Sequence, residues 1–267
     1  MTRLVICGIR GRMGQTLTRL IGAREDFCVV AGIGRTAVDG AAAGSLGAPR
    51  VVRVDDAGAV VGDADMVIDF SSAAATSGLL EHAGSALTGK ALLVGTTGLS
   101  SQTARELDAL AARAAVLTAA NFSIGVNLLV ALMPRVAAVL DAEHYDVEIV
   151  ETHHGGKADA PSGTALAFGR AVAAGRNVEL AQARCDGRSG AVGARPRGEI
   201  GFHAVRGGSV VGEHRVLFLG GRERVELVHE ATDRALFAEG ALRAARWLAG
   251  RAPGRYEMSD VLGIESL

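Results

Sequence analysis

Short, continuous apolar runs separated by helix-forming segments dominate the first half of the chain. Two of the intervening segments have helical character: residues 16–21 by their apolar spacing, and residues 101–114 by their Ala, Leu, Glu and Arg content. Strands that are apolar along their whole length are buried on both faces, which is typical of parallel strands covered by helices. The pattern predicts an α/β fold built on a doubly wound parallel sheet. The apolar runs are residues 4–7, 27–33, 66–70, 91–94 and 116–117.

The second half has a different rhythm, with polar segments between alternating runs. Three helices are predicted, at residues 125–140 (kinked or interrupted by Pro134), 162–174 and 235–249. A strand is predicted at residues 145–152, and residues 176–198 are polar, Gly-rich and Arg-rich and predict a long loop. Three later runs are separated by glycine turns and predict an antiparallel meander: residues 200–205, 210–219 and 224–231. A parallel sheet followed by a meander predicts two domains, and the last helix could cover either one.

Composition narrows the class of protein. Hydrophobic residues make up 49% and charged residues 21%, as in a globular chain. The formal net charge of −1 lacks the basic excess of a general nucleic-acid binder, and no apolar run reaches the roughly 18 residues of a membrane span. The N-terminus does not resemble a signal peptide, and the three scattered cysteines suit a reducing compartment. We therefore expect a cytoplasmic enzyme without nucleic-acid or membrane partners.

Glycines cluster directly after the first apolar run. Gly8, Gly11 and Gly14 allow a sharp turn and a close approach of a pyrophosphate to the N-terminus of the first helix. Arg10 stands where the G-x-G-x-x-G fingerprint has its second glycine, so an ordinary strand–helix turn is the alternative. Small or hydroxyl residues follow three further strands, and together with the glycines they favour a nucleotide site. These strand ends are residues 69–72, 95–98 and 119–122.

Charged and polar side chains concentrate in residues 151–165, across a strand end, a loop and a helix start. Ser162 suits the helix N-cap, so the N–H groups of Gly163 and Thr164 lie at the positive end of the helix dipole. Lys157 and two histidines add positive charge. This arrangement suits a small carboxylate ligand.

A metal ion is a weaker interpretation of the two histidines. His153 and His154 are adjacent on a strand, so their side chains point to opposite faces and do not readily share one ion. We predict no metal. The plain structural alternative is a capped helix next to solvated histidines.

Taken together, these motifs resemble the 4-hydroxy-tetrahydrodipicolinate reductase family, formerly called dihydrodipicolinate reductase, of bacterial lysine biosynthesis. The run from His153 to Ala165 is highly specific for that family, whereas the glycine loop alone is not. The matching segments span nearly the whole chain in order: residues 8–14, 95–98, 120–127, 153–165, 207–214 and 256–262.

The resemblance implies an architecture and a reaction. A Rossmann-like dinucleotide-binding domain would comprise residues 1–124 and 234–267, and a smaller α+β domain, residues 125–233, would bind substrate and form a homotetramer. The implied reaction is the NAD(P)H-dependent reduction of 4-hydroxy-tetrahydrodipicolinate, a small dicarboxylate, to tetrahydrodipicolinate with loss of water.

The resemblance also implies roles for individual residues. His153 corresponds to the general acid and Lys157 to its catalytic partner, while His154, Gly163 and Thr164 correspond to substrate contacts. The implied cofactor contacts lie at strand ends: Gly8, Ile9, Arg10, Gly11, Arg12, Met13, Gly34, Arg35, Gly95, Thr96, Thr97, Ala119, Ala120, Asn121 and Phe122.

One departure from the family bears on the cofactor. The family's acid-then-arginine pair falls at Gly34 and Arg35, so no carboxylate lies 34 − 14 = 20 residues beyond Gly14 to hold a free ribose 2′-OH. Arg35 can instead pair with a 2′-phosphate. We predict that NADPH is preferred and NADH remains possible. Ser72 stands where the family often has a further arginine. The alternative to a 2′-phosphate contact is that Arg35 is simply a solvated charge at the end of a strand.

Two other functions stay open from the residues alone. One is a different nicotinamide-dependent dehydrogenase. An aldehyde-oxidising enzyme needs a nucleophilic cysteine, and only Cys185 lies outside the apolar runs. The other is a non-catalytic nucleotide-binding redox sensor, which would have no need of His153 and Lys157.

Overall fold

In the computed structural model, residues 1–38 and 49–264 are described, and they belong to two compact units. The first unit combines Met1–Phe122 with Ala235–Leu262, and the second is built on Ser123–Arg234. The last predicted helix therefore belongs to the first unit. The predicted end of the dinucleotide-binding domain, residue 267, lies outside the described residues.

A seven-stranded sheet organises the first unit, with the order β12-β6-β5-β4-β1-β2-β3 and parallel pairing throughout. The doubly wound parallel fold predicted from the sequence is confirmed. The strands are β1 (Thr2–Cys7), β2 (Phe27–Ile33), β3 (Arg50–Val52), β4 (Met66–Asp69), β5 (Ala91–Val94), β6 (Ala115–Thr118) and β12 (Gly254–Tyr256).

Helices cover both faces of this sheet. Along β1, Leu4 and Ile6 belong to one buried cluster, whereas Val5 and Cys7 belong to the other. Burial on both faces is the reason that the strands are continuous apolar runs. The helices are α1 (Arg12–Ile21), α2 (Gly58–Val61), α3 (Ala73–Ala83), α4 (Ser101–Ala111), α8 (Ala235–Leu248) and α9 (Met258–Leu262).

The second unit is a five-stranded mixed sheet of order β11-β10-β7-β9-β8, with helices packed on one face. Its core contains Ile149, Phe168, Phe202, Val216 and Phe218, contributed by the helices and the alternating strands. The elements are α5 (Ile124–Val139), β7 (Tyr145–His153), α6 (Gly163–Gly175), α7 (Leu180–Ala183), β8 (Arg184–Asp186), β9 (Ile200–Arg206), β10 (Gly212–Gly220) and β11 (Arg224–Ala231).

The prediction of a simple antiparallel meander is wrong. Only β10 and β11 pair as consecutive antiparallel strands, because β7 lies between β9 and β10 and runs parallel to β9. Residues 207–211 connect β9 to β10. Five residues reach well beyond the roughly 10 Å that two strand spacings require, so the connection can pass an intervening strand.

Two further predictions for this unit are wrong. Residues 176–198 are not all loop, since α7 and β8 lie within them and β8 takes its hydrogen bonds from the edge of β9. The interruption of α5 at Pro134, one of the two effects predicted, is also wrong, because the helix continues to Val139; a kink there stays a prediction. Of the helices in the described ranges, none is long and apolar enough to cross a membrane.

Candidate active site

A cavity of about 420 Å³ opens where β1, β2 and β4 end in the first unit. Five predicted cofactor residues meet in its wall: Gly8, Arg10, Gly11, Gly34 and Arg35. Ser71 and Ser72, from the strand end after β4, also line it. The structure thus brings the glycine loop and the Gly34–Arg35 pair to one cavity.

The glycine loop is too tight for side chains. Gly8 has φ +80°, and a Cβ there would lie 2.5 Å from the carbonyl oxygen of Phe70. A Cβ on Gly14 would lie 2.3 Å from the carbonyl oxygen of Gly8. Gly11 is the N-cap of α1 and provides no side-chain cap, so the N–H groups of the first helical turn are available to an anion. These features fit the pyrophosphate of a dinucleotide.

Several other predicted cofactor residues have their side chains in the core. Ile9 is buried, and its side chain occupies the space that a Cβ on Gly32 would need. Met13 packs on the same cluster, while Phe122 is buried with its ring 5.3 Å from that of Phe70. Any contact that Ile9 makes with a nucleotide is therefore through the backbone. Arg12 is exposed at the start of α1.

Asp69, the first residue of the strand end predicted at residues 69–72, is fully buried at the end of β4. Its Oδ1 accepts hydrogen bonds from the Ser71 hydroxyl at 2.5 Å and the Thr96 hydroxyl at 3.2 Å, and its Oδ2 accepts one from Thr76 at 2.6 Å. Burial raises the pKa of Asp69, and these hydrogen bonds oppose that rise. Asp69 thereby fixes Thr96, a predicted cofactor residue, to the loop that follows β4.

In the second unit, His153 lies at the end of β7 and is held by a buried carboxylate. Its Nδ1 lies 2.5 Å from Oε2 of Glu151, two residues earlier on the same face of the strand. Arg206 at the end of β9 donates to both carboxylate oxygens, at 2.8 and 2.7 Å. The backbone N–H of Ser162 donates to Oε1 at 3.0 Å. Glu151 is 1% exposed and His153 12%.

The protonation of this pair follows from competing effects. Burial alone would raise the pKa of Glu151, but hydrogen bonds from Arg206 and His153 outweigh it and hold that pKa below its usual value. For His153, burial lowers the pKa, and the hydrogen bond with Glu151 only partly opposes it. Glu151 is accordingly ionised, and the lowered pKa of His153 favours its neutral imidazole form.

Lys157 lies in the loop after β7 and carries an ion pair of its own. Its Nζ donates to both carboxylate oxygens of Asp159, at 2.7 and 2.8 Å. Lys157 is 20% exposed and Asp159 63%. A pair this open to solvent contributes little to stability. The ammonium can therefore exchange Asp159 for another carboxylate at little cost.

The N-terminus of α6 is built as the sequence predicts, with one addition. Ser162 caps the helix, because its hydroxyl accepts a hydrogen bond from the N–H of Ala165 at 3.1 Å. The same hydroxyl lies 2.9 Å from Nε2 of His214 on β10. Burial lowers the pKa of His214 to about 3, so this ring is neutral. A Cβ on Gly163 would meet no atom within 4 Å, which leaves its surroundings open.

His154 has a partner that the sequence did not indicate. Nη2 of Arg234 lies 3.0 Å from Nε2 of His154. Since a guanidinium only donates, His154 accepts at Nε2 and carries its proton on Nδ1. Arg234 follows β11 and is far from His154 in sequence, so no local pattern could show this contact. Within the described ranges, no group of three or more His, Cys, Asp and Glu residues could hold a metal ion.

Comparison with known proteins decides the family. The dihydrodipicolinate reductase N-terminus model matches residues 2–122, and the C-terminus model matches residues 125–262. The chain belongs to the dihydrodipicolinate reductase family. Relatives named 4-hydroxy-tetrahydrodipicolinate reductase from Roseobacter denitrificans and Acidiphilium cryptum are each 47% identical to it. The alignments cover 98% of this chain and 97% and 98% of those relatives.

Solved structures show the same fold. The dipicolinate-bound dihydrodipicolinate reductase from Paenisporosarcina sp. TG-14 has a TM-score of 0.69 at 24% identity, over 96% of this chain and 97% of that one. The C. glutamicum DAP dehydrogenase in complex with DAP has a TM-score of 0.53 at 15% identity, over 100% of this chain and 99% of that one.

The chain is thus an oxidoreductase of the 4-hydroxy-tetrahydrodipicolinate reductase family, which acts in lysine biosynthesis. The function expected from the sequence resemblance is confirmed, and it displaces both alternatives. Cys185, the remaining candidate for an aldehyde-oxidising nucleophile, lies in β8 of the second unit.

Proposed function

We propose that this chain reduces 4-hydroxy-tetrahydrodipicolinate to tetrahydrodipicolinate with NADPH as the preferred reductant and His153 as the proton donor. The observation that carries the proposal is the second-unit cluster: an imidazole fixed by a buried carboxylate, beside a lysine with an exchangeable partner and a capped helix N-terminus. The test is turnover with the cyclised product of aspartate semialdehyde and pyruvate, followed by nucleotide absorbance. Absence of turnover with either nicotinamide nucleotide would refute it.

The chemistry follows from what the substrate requires. Loss of water from the hydroxylated ring leaves a conjugated imine that carries two carboxylates. A bound nicotinamide nucleotide supplies the hydride. Negative charge then develops on the ring nitrogen side of the conjugated system, and a proton from His153 Nε2 neutralises it. A dicarboxylate bound beside the ring favours the imidazolium and so opposes the lowering of the His153 pKa by burial.

The carboxylates need fixed positive partners. Lys157 can exchange Asp159 for a substrate carboxylate and also stabilise the developing anion. Gly163 and Thr164 begin α6, where backbone N–H groups attract anions. His154, with Nδ1–H set by Arg234, is left as a donor to the second carboxylate. These roles are the ones predicted from the sequence, and the geometry supports them.

Nucleotide preference is predicted from Gly34 and Arg35. Both line the cavity that contains the glycine loop, and Arg35 is exposed there. We expect Arg35→Ala to weaken NADPH binding by roughly tenfold or more, the worth of a charge-assisted phosphate contact, and to leave NADH almost unchanged. Gly34→Asp should move the ratio of kcat/KM towards NADH. A Cβ at residue 34 would lie 3.3 Å from Val51 Cγ1, so aspartate needs only a small adjustment.

The measurement is kcat/KM for the two nucleotides at low salt, because the contact is electrostatic. Arg10→Ala is the matched control, since Arg10 lines the same cavity from the glycine loop. Arg10→Ala should weaken the binding of NADPH and NADH to the same extent. Equal kcat/KM for NADPH and NADH in the parent enzyme contradicts the assignment of Arg35 to the 2′-phosphate. So does an equal loss of kcat/KM for the two nucleotides in Arg35→Ala.

We also propose a homotetramer formed through the second sheet, in the cytoplasm. Among the described residues, the helices cover one face of that sheet, and on the other face Val205 and Val228 are 49% and 46% exposed. A second copy of the chain would bury this apolar surface.

Val228→Glu is expected to shift the solution mass from four chains to fewer, because a charge would have to be buried in the interface. Light scattering after size-exclusion chromatography gives the mass directly. Val139→Glu is the control: Val139 is 78% exposed at the end of α5, away from that face. A tetramer that survives Val228→Glu but not Val139→Glu places the interface elsewhere.

A further inference from the structure

We infer that Glu151 and Arg206 are positioning residues that fix the tautomer of His153 and set the pH range in which it donates its proton. The inference rests on the proposed role of His153 as general acid and assigns two residues to that role that the sequence motifs did not. Neither residue is inferred to touch the substrate; both act through His153.

The tautomer follows from the hydrogen bonds on Glu151. An ionised carboxylate only accepts, so Nδ1 of His153 must carry a hydrogen and donate it to Oε2 over 2.5 Å. Arg206 and the Ser162 N–H satisfy the remaining acceptor capacity of Glu151. In the neutral imidazole Nε2 is then unprotonated, and in the imidazolium it holds the proton that can be transferred. Nε2 faces Gly212, where a Cβ would lie 3.0 Å away.

Orienting the His153 ring does not by itself require a buried charge such as the Glu151 carboxylate. Removing a charge from water has a large free-energy cost, and a neutral glutamine could accept the hydrogen bond from Nδ1 as well. What the charge adds is a preference for imidazolium over imidazole. The bidentate contact with Arg206 keeps Glu151 ionised, so that the carboxylate does not take the proton itself.

Arg206 also links the two predicted catalytic residues. Its Nη2 donates to the backbone carbonyl of Asp159 at 2.7 Å, and the side chain of Asp159 accepts from Lys157. The parallel register of β7 and β9 pairs His153 with Arg206 directly.

The charges around His153 act in opposite directions. Burial lowers its pKa most, Glu151 raises it, and Lys157 and Arg206 lower it further. Two other neighbours contribute little: the His214 ring on β10, centred 5.1 Å from that of His153, is neutral, and Asp159 is neutralised by Lys157. His154, the next residue, is paired with Arg234.

The sign of each substitution follows. A general acid works when protonated, so kcat falls as pH rises through the pKa of His153. Glu151→Gln removes a charge that favours the imidazolium and should move this falling limb to lower pH by roughly one unit, with kcat about tenfold lower at neutral pH. Arg206→Gln removes a charge that disfavours the imidazolium and should move the limb to higher pH. A purely structural role does not produce shifts of opposite sign.

The experiment is the pH profile of kcat for both variants, with Glu151→Asp as the conservative variant that keeps the charge. Dissociation constants for NADPH, measured by fluorescence, should stay within about twofold, because the nucleotide cavity is lined by residues of the first unit. Limbs that stay in place, or that move in the same direction, overturn the inference. If His153→Ala remains active, the proposed role of His153 as general acid fails. If His153→Ala is inactive but the falling limb moves in neither Glu151→Gln nor Arg206→Gln, only the inference about Glu151 and Arg206 fails.

A second measurement does not depend on the folding of Glu151→Gln or Arg206→Gln. In the wild-type enzyme with ¹⁵N-labelled histidine, the His153 signals can be identified by their absence in His153→Gln. The neutral form should show hydrogen on Nδ1 and none on Nε2. Predominance of the Nε2–H tautomer overturns the inference.

Discussion

Replacing His153 with alanine is expected to lower kcat by roughly 10²–10⁴ and to leave nucleotide affinity almost unchanged, as for the loss of a general acid. The ring is held through Nδ1 by Glu151, so alanine removes the proton donor without removing the carboxylate or its partner Arg206. Steady-state kinetics with saturating substrate and nucleotide, and NADPH binding by fluorescence, measure the two quantities separately.

Two histidine variants serve as comparisons for this prediction. His144 is 67% exposed in the turn before β7, and His144→Ala should behave as the parent enzyme. His154→Ala should raise KM more than it lowers kcat, because its proposed partner is a ground-state carboxylate. Turnover of His153→Ala within a few-fold of the parent removes His153 from the acid role. If His154→Ala loses more kcat than His153→Ala, the two roles are exchanged.

The parts of the fold that were predictable share one physical cause. Successive residues of β1, such as Leu4 and Val5, belong to buried clusters on opposite faces of the sheet. Because both faces are buried, the strand is a continuous apolar run, which the sequence shows directly. β3 and β12 carry no such signal, since each has only three residues and is defined by pairing with a neighbour. The strand order of the second sheet was predicted wrongly because it too depends on pairing. The alternating pattern of β9 predicts a strand, but it does not predict which strand lies next to it.

The candidate site divides in a similar way. The nucleotide loop and the His153–Thr164 run were visible because their residues are neighbours in sequence. Glu151 was also within reach, because two residues on a strand share a face. Arg206 and Arg234 were not, because their contacts depend on strand register and on the path of the chain after β11. Tertiary pairing, rather than local propensity, decides which charges surround the two catalytic candidates.

Lys157→Met is expected to damage binding and turnover together. A lysine that holds a substrate carboxylate in the ground state contributes to KM, and removing it should raise KM by about tenfold or more. The same charge next to the developing anion contributes to kcat, where loss of one electrostatic donor typically costs about 10²–10³. Methionine keeps much of the length of the side chain, so the result reports the charge. kcat and KM measured at fixed saturating NADPH separate the two effects.

Asp159→Asn is the matched control, because it removes the carboxylate that occupies Nζ of Lys157 and leaves the lysine in place. Its backbone carbonyl still accepts from Arg206, so the loop keeps that anchor. If the ammonium exchanges Asp159 for substrate, this variant should bind substrate at least as tightly as the parent, since one competitor for the charge is gone. A raised KM in Asp159→Asn would mean that Asp159 positions the lysine instead of competing for it. A change in Lys157→Met confined to KM would leave Lys157 a binding residue with no part in stabilising the anion.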